Sequence, residues 1–212
     1  MADPKDHATE LYESWLEWRR DRWIENLREI SQIPEAAGEA FPPRNFPYLP
    51  IDGSGEDEVS KSLRTSALEM SCEAVETFVF GSFQSCILAT GATLERVLKL
   101  EYRLAKGNLP RKGQWTLGGC VNGLSWEGTR VDEHVLQPIR ELLSPRNSRA
   151  HALLEHSDPK LAGRGGPRRG VRTLSSNHYV TEPYRGEAKN ALLTLYSILS
   201  TLYGPEPRET GT

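Results

Sequence analysis

A chain of 212 residues, 37% hydrophobic and 26% charged, is long enough for one sizeable core and too short for two. Its apolar runs, such as Cys86 to Ala89, are a few residues long against the roughly 20 that a bilayer-spanning helix needs, so no membrane partner is expected. The net charge of -3 conceals an uneven spread: residues 1–60 carry 6 Lys/Arg and 14 Asp/Glu, residues 144–186 carry 8 and 3, and the acidic and basic ends read as separate. Local potential steers encounter, so a polyanion should meet the second region.

The first residues, with Asp3, Lys5 and Asp6, lack the basic start and apolar centre of a secretory signal, which sets a cytoplasmic expectation. Three cysteines, Cys72, Cys86 and Cys120, are odd in number and outside any paired zinc-ligand spacing, so all three are read as buried thiols. No cofactor and no metal site is expected.

Taken in chain order, residues 8–31 set Leu11, Trp15, Trp18, Leu27 and Ile30 at helical spacing among many charges, and predict a first amphipathic helix. Its tryptophans, with Trp23, are read as packing residues. Between Pro34 and Gly55 five prolines exclude a continuing helix and predict a linker lying on the body. The acidic Glu56 to Glu58 opens a helical run to about Phe80, Gly81 interrupts, and a second run from Ser82 to Lys106 ends at Gly107, Asn108 and Pro110. These two form a long central hairpin.

Residues 116–124 and 131–143 predict shorter helices, the second ending at Ser144-Pro145. Ser144 as N-cap and Pro145 at the first helical position then start another helix holding Arg146 to His156. Residues 158–184, rich in glycine and arginine, read as a basic loop with a short strand around Asn177 to Thr181, and residues 186–203 return to helical spacing. The expected fold is all-α, a helical bundle with an extra N-terminal helix. It divides into residues 1–55 (helix and Pro-rich linker), 56–204 (the helical domain) and a frayed tail at 205–212.

Arg followed by His after four to six intervening residues occurs three times, as Arg146 with His151, Arg149 with His156, and Arg172 with His178. Chance alone supplies roughly one such match, so the spacing selects nothing by itself. Context does: only the first pair has Asn147 directly after the arginine and Ala150 directly before the histidine. In that form the stretch resembles the Arg-polar-x-x-x-His signature of the HEPN ribonuclease superfamily. Residues 73–203 carry further likeness in Glu73-Ala74-Val75, in Phe80-Gly81-Ser82-Phe83, in the Leu-Glu-x-x-Leu pattern from Leu94 to Leu98, and in Leu117-Gly118-Gly119. The first 72 residues resemble no feature of that family.

The resemblance implies a HEPN-like helical bundle that cleaves RNA without a metal, by attack of the ribose 2'-hydroxyl on the adjacent phosphate, leaving a 2',3'-cyclic phosphate. His151 then moves a proton, since an imidazole ordinarily titrates near pH 6.5. Arg146 stabilises the charge growing on phosphorus with a planar, permanently charged donor fork, helped by free backbone N–H groups of a first helical turn. Asn147, at i and i+4 from His151, holds the imidazole or a phosphate oxygen. Arg149, Arg168, Arg169 and Arg172 are expected RNA-backbone contacts. Arg146 and His151 are five positions apart, about 140° around a helix axis. A homodimer with a composite site is therefore implied.

Several residues read more plainly. Glu95 is a candidate partner for Arg146 but is expected at the surface, and Trp115 and Trp126, which could stack on a base, are read first as packing residues. Two further functional readings stand beside an endoribonuclease toxin or antiviral effector. One is a non-catalytic HEPN module that binds RNA, nucleotide or protein within a larger complex. The other is a helical dimerisation protein whose first helix docks on an antitoxin or other protein partner.

Overall fold

The computed structural model describes residues 4–33, 57–157 and 184–203, with the backbone alone given for 4–11, Trp15 and 148–157. The Pro-rich linker, the strand around Asn177 to Thr181, nearly all of the basic loop and the tail lie outside the described residues. Within them the chain is helical and contains no strand: α1 (Pro4–Ser31), α2 (Glu58–Val79), α3 (Phe83–Lys106), a single 3-10 turn (Lys112–Gln114), α4 (Leu117–Gly123), α5 (Glu133–Ser157) and α6 (Arg185–Tyr203). None of these helices is long and apolar enough to cross a membrane.

The expected hairpin is present, and local chemistry sets its ends. Asp57 caps α2 by accepting from the Val59 and Ser60 backbone N–H groups, both at 2.9 Å, which satisfies donors that a helix start leaves free. Arg103 also donates to it. That hydrogen bond, with the cap, holds the Asp57 carboxyl at about 2. Gly81 and Gly107 take φ of +76° and +72°, the left-handed conformation in which a side chain is strained, and there α2 ends and α3 ends.

The centre of the bundle is α3, which packs against α2, α4, α5 and α6. Phe83, Ile87, Leu94, Val97 and Leu98 from α3 meet Phe78 of α2, Ile139 of α5 and Leu192, Leu195 and Leu199 of α6 in one core. The α6 residues recur at three and four, the spacing that keeps one stripe inward. Where the chain turns between α2 and α3, the rings of Phe78 and Phe83 lie 5.1 Å apart and tilted, an arrangement that adds about 0.5–1.5 kcal/mol beyond area burial.

The first helix docks through polar contacts as much as apolar ones. Buried Asn26 donates to the Phe78 and Val79 carbonyls at the end of α2, and Trp23 meets Phe80 edge-on at 5.2 Å. Trp18 is exposed. The acidic and basic ends, separate along the chain, touch in space: Arg185 bonds Glu25 and Glu29, and Lys189 bonds Glu29. Burial raises the Glu29 carboxyl, but Lys189 and Arg185 together outweigh it and hold it below its ordinary value.

Two expectations are corrected. The Ser144-Pro145 step does not start a helix, because α5 runs unbroken from Glu133 to Ser157 with Pro138 and Pro145 inside it. Proline holds a helical φ in mid-helix too, but there it forfeits the N–H that would bond the Glu141 carbonyl and crowds that carbonyl with its ring, a cost of about 3 kcal/mol that tertiary packing must offset. Arg146 accordingly lies in mid-helix. The group freed beside it is a carbonyl acceptor, so the expected cradle of backbone N–H donors is absent. The cysteines are not all buried either: Cys72 is exposed on α2, while burial pushes Cys86 up to about 12 and Cys120 up to about 11.

Candidate functional site

Arg146 is placed by the close approach of α3 and α5. Gly91 faces it, and a Cβ there would stand 2.9 Å from Arg146 Cγ and 3.1 Å from Nε, so only glycine leaves the arginine stem its path. One turn further along α3 comes Glu95 and one turn beyond that Lys99, and the i, i+4, i+8 spacing puts the three on one face. Arg146 keeps 24% of its side chain exposed and Glu95 keeps 17%. Glu95 is thus no surface carboxylate, as the sequence suggested, but the hub of this face.

Its two oxygens divide the work. Oε1 accepts from Lys99 Nζ at 2.8 Å. Oε2 accepts from the Leu117 backbone N–H at 2.9 Å, satisfying a free donor at the start of α4, and lies 3.9 Å from Arg146 Nη2. The Arg146 link is therefore an ion pair without hydrogen-bond geometry. Its other described contact is Nη1 donating to the exposed Asn147 Oδ1 at 3.3 Å, and its buried Nε has no hydrogen-bond partner. An arginine offers five N–H donors. Here its stem is confined, it shares the Glu95 carboxylate with Lys99, and among the described residues most of its donors have no hydrogen-bond partner.

Beside this face stands Trp115, 45% exposed, with Lys99 Nζ 5.7 Å from its ring centroid and its indole N–H donating to the Pro110 carbonyl at 2.6 Å. Trp126 by contrast meets Tyr102 edge-on and packs on the core. Cys120 lies beneath, donating to the Gln114 carbonyl, and its thiol stays neutral near pH 7.

Of the sequence-predicted residues, Arg146 and Asn147 adjoin in the described site. His151 is five residues on along the same helix, about 7.5 Å in rise and 140° in rotation from Arg146, and its side chain, like that of Arg149, is outside the described residues. Arg168, Arg169 and Arg172 also lie outside them. Sequence reasoning left Glu95 and Lys99 out of the site. The signal for them was a Gly-x-x-x-Glu-x-x-x-Lys ladder inside an apolar helix, where a lone acid needs a partner. Among the described residues no three His, Cys, Asp or Glu come together as a metal-ligand group.

No family model, no curated protein and no solved structure matches the chain.

The site makes one test of its own. Gly91→Ala adds one methyl group at a helix position where alanine is intrinsically better by about 1 kcal/mol, so thermal stability should hold near wild type. The same methyl displaces the Arg146 stem, and any function that depends on this guanidinium should fall at least about tenfold, since misplacement by about 1 Å can cost that much or more. Circular dichroism melting beside an activity assay reads both. Undiminished activity in a folded Gly91→Ala protein would remove Arg146 from the site.

Proposed function

We propose that this chain is an endoribonuclease of the HEPN type, acting on RNA as a homodimer and serving as a toxin or antiviral effector. The observation that carries the reading is Arg146: confined by Gly91, paired with Glu95, and left with donors that nothing in the described residues uses. A phosphate oxygen supplies the acceptors these donors lack, and a planar fork beside a fixed carboxylate presents them in one orientation.

In this reading the ribose 2'-oxygen forms a bond to phosphorus and loses its proton, while the bond from phosphorus to the 5'-oxygen breaks and that oxygen gains one. His151 mediates a proton transfer. Arg146 balances the additional negative charge of the pentavalent species, and Glu95 with Asn147 orients Arg146. The products are a 2',3'-cyclic phosphate and a free 5'-hydroxyl, so neither a cofactor nor a metal is consumed.

The experiment is incubation of the purified chain with single-stranded RNA in EDTA, with the termini of any fragments identified by mass. Fragments ending in a cyclic phosphate are expected. Intact RNA at micromolar protein, or cleavage of equal strength in His151→Ala, ends the catalytic reading and leaves a binding module.

A further inference from the structure

We propose that Trp115 is a base-stacking residue of the Arg146 site, a platform on which the base next to the scissile phosphate lies, and that it gives the site a preference for purines. The proposal rests on the ribonuclease reading and adds a specificity residue to it. It starts from an imbalance in the surface. Trp115 follows the 3-10 turn and precedes α4, and the residue is 45% exposed.

The ring is held in position. Its N–H is tied to the Pro110 carbonyl at 2.6 Å, and Lys99 lies over it. A ring fixed in this way has little rotamer freedom left to lose on binding, which is what pre-organisation supplies. With Lys99 over the ring, the part of the residue that stays exposed is what it offers to a ligand with a flat π-face.

Its connection to Arg146 is short and polar. Lys99 bonds Glu95, and Glu95 pairs with Arg146. The stacking surface and the phosphate-binding fork are thus linked through Lys99, which lies over the ring, and Glu95, which pairs with Arg146. Trp18, also exposed, lies on α1 with no described contact to this face, and Trp126 is engaged with Tyr102. The ligand that needs both a flat π-surface and a guanidinium is an unpaired nucleotide, with its base on Trp115 and its phosphate at Arg146. Stacking strength grows with the size of the base, hence the purine preference.

The test uses the full chain and fluorescently labelled single-stranded oligonucleotides, one adenine-rich and one uracil-rich. Cleavage is followed in the wild type and binding by anisotropy in His151→Ala, each with and without a change at Trp115. Trp115→Ala should raise KM for the adenine-rich strand, and weaken its binding, by about 5- to 150-fold, the equivalent of roughly 1–3 kcal/mol per stacked base. Its kcat should stay within about threefold, because stacking positions the strand and moves no proton. The purine preference should vanish. Trp115→Phe, which keeps a ring and drops the N–H, should retain most of the affinity and the preference.

Unchanged KM and unchanged preference in a folded Trp115→Ala chain overturn the stacking role while cleavage itself stands. RNA bound with Trp115 dependence but never cleaved supports the stacking role and defeats the nuclease reading. An equal loss in Trp115→Phe and Trp115→Ala assigns the indole N–H a packing function and overturns the proposal.

Discussion

Arg146→Ala and His151→Ala, each inactive alone, should regain about a quarter of wild-type cleavage when the two chains are mixed in equal amounts and allowed to exchange. The reasoning begins with the helix. Because α5 continues without a break from Glu133 to Ser157, positions 146 and 151 lie about 140° apart around one axis, and the proposed site draws its arginine and its histidine from two copies. In the proposed two-fold dimer each site would take the arginine of one chain and the histidine of the other. Half of the randomly mixed dimers hold one chain of each kind, and each of these has one intact site of two, which gives the fraction of about one quarter.

The single variants should fall far. Loss of a group that stabilises transition-state charge costs about 10²- to 10³-fold in kcat, and loss of an acid or base costs about 10²- to 10⁴-fold. Both should remain folded as far as Arg146 is concerned, since Glu95 keeps its bonds to Lys99 and to the Leu117 N–H when the guanidinium is gone. Arg146→Lys should rescue little, because an ammonium lacks the fork. Fragment yield in single-turnover assays measures all of these. If the mixture stays as inactive as its components, arginine and histidine act within one chain or not at all, and the composite site is lost.

What could be read from the sequence follows from the range of the interactions involved. The apolar period of α3 and α6, the acid-capped start of α2 and the glycines at positions 81 and 107 are local, and the described helices fall close to the expected spans. Pro145 misled because proline suits a first helical turn and is costly in mid-helix, while α5 carries it inside all the same. Glu95 misled because the Leu117 N–H that fixes it comes from a helix start more than twenty residues away. At the site, the motif located Arg146 but not its supports.

The same limit hid the most consequential polar group in the fold. Glu101 is 2% exposed near the end of α3, where Arg130 donates to both of its oxygens at 3.2 and 2.9 Å and the Tyr203 hydroxyl donates to one at 2.7 Å. Arg130 also donates to the Leu202 carbonyl and lies 5.5 Å from the Tyr203 ring, so one cation ties the loop before α5 to α3 and to the end of α6. Arg130→Ala strands a buried carboxylate. Breaking a buried pair costs about 3–5 kcal/mol, and the expected loss is about 3 kcal/mol, at the low end because Arg130 is itself 59% exposed. Urea unfolding measures it.

The origin of the loss has its own signature. Adding Glu101→Gln to Arg130→Ala removes the stranded charge and should recover part of the stability, whereas independent sites would add their losses. Burial first, then the Glu101 charge and hydrogen bond, hold the Tyr203 hydroxyl well above its ordinary value. A group raised in this way contributes stability that is complete below its unfolded value of about 10 and is lost as pH rises toward the folded one. Alkaline unfolding should therefore carry a proton-release component that Tyr203→Phe abolishes. A destabilisation under about 1 kcal/mol in Arg130→Ala would mean that Glu101 is satisfied without it, and that helix packing alone closes this end of the bundle.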